Sequence, residues 1–182
     1  TIRKMITDKE YKELADSFGL PISSVKAIDE VESSGKGFDS KTGKIIIQFE
    51  PHYFKRISKL ISGLWVSNKV YTQVKEWEAY NDAFKRNPTA AMESCSIGRM
   101  QVMGEHWKRL GFKSVGEMWD FAKKSEKNQL WLGLKFIQTD TALFLALLRK
   151  DWKTVAYRYN GKNYWILGYD IKLSNAEKKH SL

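Results

Sequence analysis

A carboxylic acid stands on the apolar side of a predicted helix in the run Ala27-Ile28-Asp29-Glu30-Val31-Glu32-Ser33-Ser34-Gly35, at the point where that helix ends. At about 100° per residue, Glu32 falls between Ile28 and Val25, whereas Glu30 points away. Desolvation disfavours the charged form of a carboxyl, so a half-buried Glu32 keeps its proton to higher pH and can protonate a glycosidic oxygen. A solvated glutamate or a local hydrogen-bond acceptor is the competing reading of the same pattern. Two further acids lie downstream, Asp39 in a turn-rich stretch and Glu50 immediately before Pro51. Strand alternation places Glu50 on the face opposite Phe49, where it is available to activate water. Its structural alternative is a favourable interaction with the N-terminal dipole of the helix beginning at Pro51.

These acids need elements to hold them. Thr7-Asp8 opens a short amphipathic helix through Phe18, closed by Gly19, and Pro21 with Ser23-Ser24 starts the helix that ends at Glu32. Residues 38–50 carry the β signal of the chain, turn residues followed by Ile45-Ile46-Ile47-Gln48-Phe49, and read as a hairpin. From Pro51 onward the pattern is helical. Phe54, Ile57 and Ile61 form a stripe before Gly63, and residues 64–71 form a loop. Trp77, Tyr80 and Phe84 mark the next helix, and Asn87-Pro88 restarts one toward Ser94. A glycine-interrupted stretch from Ser96 is expected to turn helical as far as Leu110. Ser114 and Glu117 have capping-box spacing for a helix ending near Lys124. Two strongly apolar helices, 126–138 and 141–148, are expected at the centre. Asp151 caps another, a last helix spans 164–173, and the polar tail 175–182 is expected to fray.

Composition narrows the partner. The chain has 182 residues, enough for one domain with its own core. A single cysteine, Cys95, excludes an intrachain disulfide, and His52, His106 and His180 lack metal-ligand spacing. The net charge of +10 favours a polyanionic partner, but no arginine-rich arm, zinc finger or helix-turn-helix accompanies it, so no specific nucleic acid is expected. The longest apolar run, 141–148, is far shorter than the ~20 residues of a bilayer span. No apolar signal segment begins the chain, and a first residue other than Met reads as processing or excision from a longer protein.

An acid at a helix end, a small hairpin after it and a helical body together describe the layout of a lysozyme-like glycosidase. Three motifs in order make the likeness specific: Glu30-Val31-Glu32-Ser33-Ser34-Gly35, then Ser96-Ile97-Gly98-Arg99-Met100-Gln101-Val102-Met103, then Tyr157-Arg158-Tyr159-Asn160-Gly161. From about residue 8 to about residue 172 the chain resembles the N-acetylmuramidase family of bacteriophage endolysins, related to goose-type lysozymes and soluble lytic transglycosylases. The resemblance implies a single peptidoglycan-cleaving domain over 1–182, with a mostly helical α+β fold and one small β-hairpin beside the groove. It implies Glu32 as general acid at the bond between N-acetylmuramic acid and N-acetylglucosamine. Glu50 is preferred to Asp39 as the second carboxylate. Carboxyl groups about 5 Å apart favour retention, and about 6.5–9.5 Å leaves room for an inverting water.

Ser33, Gln101, Tyr159 and Asn160 fall on the family's motifs and are candidate substrate-binding residues. Helix termination, loop satisfaction, core packing and a turn are their respective structural alternatives. Arg99 departs from the more usual hydrophobic residue and is expected to alter a groove contact without touching the acid. Trp77, Trp119 and Trp131 sit at core positions, and His106 is given no role. No metal or organic cofactor is implied. The expected partner is the peptidoglycan glycan strand, met by a monomer made in the cytoplasm and acting in the periplasm or on the wall after phage release or secretion-system delivery. A separate wall-binding or delivery domain in a full-length protein is compatible with this. The rival functions are a lytic transglycosylase forming 1,6-anhydro products and a noncatalytic wall-binding module.

Overall fold

The computed structural model describes residues 5–67 and 72–182. Its first two helices form as the caps dictate. Thr7 and Glu10 make a reciprocal capping box for α1 (Asp8–Phe18), and Gly19 ends it at φ 66°, a left-handed conformation that glycine adopts without Cβ strain. Helix α2 (Ile22–Glu32) follows Pro21, and its Val25, Ala27 and Ile28 are fully buried while Glu30 is exposed. Helix α10 (Tyr169–His180) packs along α2, and α7 (Glu126–Thr139) contributes Leu130, Leu132, Leu134 and Ile137 to the same core. Between these lie α3 (Pro51–Ser58), α4 (Gln73–Arg86), α5 (Pro88–Glu93), α6 (Val115–Lys124), α8 (Thr141–Leu148) and α9 (Trp152–Asn160). Asp151 caps α9 by accepting from the Thr154 backbone. No single helix among the described residues is long and apolar enough to cross a membrane.

The β structure departs from the expected hairpin over 38–50. Strand β1 (Ile47–Phe49) pairs antiparallel with β2 (Cys95–Ile97), and β2 pairs with β3 (Val102–Met103), giving the order β1-β2-β3. The small hairpin is therefore β2–β3. Residues 39–44 do close a turn, with Asp39 N donating to Lys44 O at 2.8 Å, but Phe38 and Ile45 form only an isolated bridge. The edge of β1 away from β2 is occupied by side chains of α4. The Gln73 amide donates to Ile47 O and accepts from Ile47 N, and Glu76 accepts from Phe49 N at 2.9 Å. The pairing across this turn ends with Ile46 N donating to Gly37 O at 2.9 Å, and beyond it the outer edge of β1 is already taken. Register places Phe49 opposite fully buried Cys95, and Gln48 opposite Ser96 on the open face.

Other expectations change as well. The stretch after Ser96 turns through Gly98 and Gln101, at φ 72° and 50°, into β3 and a 3-10 turn (Gly104–His106) rather than a helix. Ile57 within α3 and Ile61 beyond its end at Ser58 are both exposed, leaving Phe54 as the buried residue of that helix. The loop expected over 64–71 contains a 3-10 turn at Leu64–Ser67, and 68–71 lie outside the described residues. At the C-terminus, the helix expected over 164–173 is a 3-10 turn (Tyr164–Ile166), Gly168 at φ 66° and then α10. That helix continues through His180 instead of fraying. Ala176 and Glu177 are buried, with Glu177 accepting from Lys150 and Ser23, and Lys179 pairs with Glu30 on α2.

Candidate active site

Glu32 is the last residue of α2, and its surroundings come from the opposite end of the chain. Asn160, the last residue of α9, donates its Nδ2–H to Glu32 Oε1 at 2.9 Å. Burial of the half-buried carboxyl raises its pKa above the usual glutamate range. The Asn160 hydrogen bond and the positive charge of Lys172 on α10 act in the opposite direction, and burial outweighs them. Tyr159 is half-buried beside the acid. Its own burial first, then the Glu32 charge, hold the phenol pKa well above normal, so the hydroxyl keeps its proton throughout the neutral range. The cluster thus joins a carboxyl inclined to protonation with a fixed amide donor. Such a pairing can deliver a proton to a leaving oxygen and then orient the resulting carboxylate.

The remaining sequence-predicted residues distribute differently. Ser33 is the C-cap of α2, and its Oγ accepts from Gly35 N at 3.1 Å, a local turn contact. Gln101 spends its amide on the β2–β3 turn, donating to Gly98 O at 2.9 Å and more weakly to Ile46 O at 3.5 Å. Asp39 accepts from Thr42 N at 2.8 Å, which lowers its pKa and commits it to closing the turn. Glu50 is the N-cap residue of α3 without a side-chain capping bond, and its carboxyl is half-buried. It lines a cleft of about 420 Å³ with His52, Tyr53, Arg56, Ser96 and Met103 on the open face of the sheet. The structure therefore assembles Glu32, Tyr159 and Asn160 directly, keeps Ser33 adjacent by sequence, and sets Glu50 and Gln101 on the sheet side.

Two residues near the acid were not legible as such. Lys172 sits one turn into α10 and also lines a cleft of about 520 Å³ with Glu30, Val31, Tyr169, Asn175, Ala176 and Lys179. A lone lysine in a lysine-rich segment carries no sequence signal of that placement. Arg99, expected at the groove, is instead buried and ion-paired with Asp29 and Glu126. Among the described residues no group of three or more His, Cys, Asp or Glu could hold a metal ion.

A helical body, a three-stranded antiparallel sheet and a half-buried acid at a helix end define the lysozyme-like α+β class. The N-acetylmuramidase family profile matches residues 21–181, and the chain belongs to that family of peptidoglycan hydrolases. The crystal structure of the Burkholderia AP3 phage endolysin superposes with a TM-score of 0.86 at 32% identity, covering 100% of this chain and 72% of that one. No curated relative matches the chain.

Proposed function

We propose that this domain cleaves the β-1,4 bond between N-acetylmuramic acid and N-acetylglucosamine in peptidoglycan, with Glu32 as the general acid. The observation that carries the reading is a carboxyl whose pKa is raised by burial while an amide of the Tyr-Asn-Gly segment fixes one of its oxygens. Protonation of the glycosidic oxygen by Glu32 accompanies bond cleavage through an oxocarbenium-like transition state. Glu50 is the proposed second carboxylate, since Asp39 is committed to its turn. Tyr159 and Asn160 are proposed to hold the acid, and Ser33 and Gln101 to shape the backbone that meets the sugar. The net charge of +10 draws the domain to the anionic wall, and the endolysin neighbour supports bacterial lysis as its setting.

Lytic transglycosylation on the same scaffold is the second reading. It is favoured by one observation: Glu32's partners named above are an amide, a phenol and an ammonium, without a second carboxylate. Digestion of purified peptidoglycan followed by mass analysis separates the two, because hydrolysis adds a water and transglycosylation leaves an anhydro end. Glu32→Gln is expected to abolish lysis while sparing wall binding. Unchanged lysis by that variant overturns the assignment of the acid.

A further inference from the structure

Arg99 lies in the turn between β2 and β3, and its side chain is almost wholly withdrawn from solvent. A buried guanidinium is unfavourable unless its charge and its N–H donors are matched, and a well-packed hydrophobic residue would fill the same space at lower cost. Here the matching is extensive. Nε and Nη2 form a fork on Asp29, at 2.6 Å to Oδ1 and 2.9 Å to Oδ2. Nη1 donates to Gly35 O at 2.8 Å and to Glu126 Oε2 at 3.3 Å. The Arg99 main chain is engaged as well: its N–H donates to Gln129 at 2.7 Å, and its carbonyl accepts from both Ser34 N and Ser34 Oγ. Tyr11 also donates to Asp29, and Gly37 N donates to Glu126.

These contacts bracket Glu32. Asp29 lies one turn before it on α2, and Ser34 and Gly35 follow it at once. The C-cap bond that closes the helix at its exit is a long one, Ser33 N donating to Asp29 O at 3.3 Å. The last turn of a helix lacks intrahelical partners for its carbonyls and opens readily. Arg99 ties the two sides of that turn to one rigid group.

We infer that Arg99 is a positioning residue for the acid: by clamping Asp29 on one side of Glu32 and the Ser34-Gly35 connection on the other, it fixes the depth at which the carboxyl stands in its site. The inference rests on the reading of Glu32 as general acid. Arginine is required because its planar fork engages both Asp29 oxygens while a third nitrogen reaches Gly35, which the point charge of lysine does not reproduce.

The test compares Arg99→Lys and Arg99→Met with the native domain and with Glu32→Gln, on soluble peptidoglycan fragments, reading kcat, KM, the pH profile of kcat/KM and the melting temperature. Both Arg99 variants are expected to lose about tenfold to a hundredfold in kcat, the scale of an ångström-level misplacement, with KM within about twofold. In Arg99→Lys the alkaline limb of kcat/KM moves to lower pH, because a loosened helix end admits water to the carboxyl and its pKa falls toward the usual value. Tyr159 and Asn160 from α9 and Lys172 from α10 face Glu32 and are unchanged, and Arg99→Lys keeps a cation beside Asp29 and Glu126, so its limb reports solvation; Arg99→Met leaves those carboxylates without one and is read by kcat, KM and melting temperature. A lower melting temperature with native kcat and an unmoved limb overturns the inference and leaves Arg99 a structural residue. If Arg99→Met does not fold, Arg99→Lys, which keeps the charge, decides by the same criteria. An active Glu32→Gln overturns the acid assignment instead, whatever the Arg99 variants do.

Discussion

Replacing Asn160 with alanine tests the electrostatic balance at Glu32. The amide donates to Glu32 Oε1 at 2.9 Å and stabilises the carboxylate more than the acid, so its loss must raise the pKa further. A hydrogen bond to a charged group contributes about 1.5–3 kcal/mol, and one pKa unit corresponds to about 1.4 kcal/mol, giving roughly one to two units as an upper range. The site is half-buried and water can occupy the space left by the amide, so an upward shift of about one unit is expected. A general acid works while protonated, and the alkaline limb of kcat/KM therefore moves about one pH unit higher in Asn160→Ala. The plateau rate falls as well, because the carboxyl loses its oriented partner. The assay is initial-rate hydrolysis of soluble peptidoglycan fragments between pH 4 and 9. A limb that moves to lower pH, or stays fixed while the plateau falls, refutes the balance of burial against Asn160 described here.

Stability gives an independent reading of the same carboxyl. Because its folded pKa is raised, the folded state binds more protons than the unfolded state between the ordinary glutamate pKa and the raised value, and stability falls as pH rises through that window. Glu32→Gln should therefore melt higher than the native chain at pH 7 and about equally at pH 4, as checked by calorimetry. If Glu50 activates the attacking water, Glu50→Gln lowers hydrolytic turnover by about a hundredfold or more without changing the melting temperature; unchanged turnover removes it from the mechanism. Gly98→Ala should lose about 1–3 kcal/mol in urea unfolding. Gly98 has φ 72°, and an added Cβ would lie 2.7 Å from the Gln129 side chain that holds Arg99 N.

The parts of the molecule legible in the sequence were those fixed by neighbours in the chain. Thr7, Pro21, Ser114 and Asp151 begin helices through contacts spanning a few residues, and wheel position alone placed Glu32 on the side of Val25 and Ile28. The sheet was less legible because its strands are two or three residues long and β1 finds its partner in Cys95-Ser96-Ile97, far along the chain. Gln73 and Glu76 complete the β1 edge from a helix, a contact with no periodic signature. Arg99 was misplaced for a related reason. A charged residue in a motif that lines the groove reads as a groove contact until Asp29, Gly35 and Glu126 are brought around it by the fold. The family motifs marked Tyr159 and Asn160 as candidate binding residues, but the bond from the Asn160 amide to Glu32, across 128 positions, had no signal in the pattern.

The closure of the β1 edge by α4 bears on how copies of this protein associate. An unpaired strand edge is a template for another chain, and here the outer N–H groups of Ile47 and Phe49 are taken by Gln73 and Glu76 of the same molecule. The protection is supplied by two side chains on a helix, so it lasts only while that helix stays docked. Loosening of α4 would uncover a short apolar strand while much of the helical body is still folded. Loss of that helix and intermolecular strand pairing are thereby coupled, and melting that becomes less reversible as protein concentration rises is the form this coupling takes.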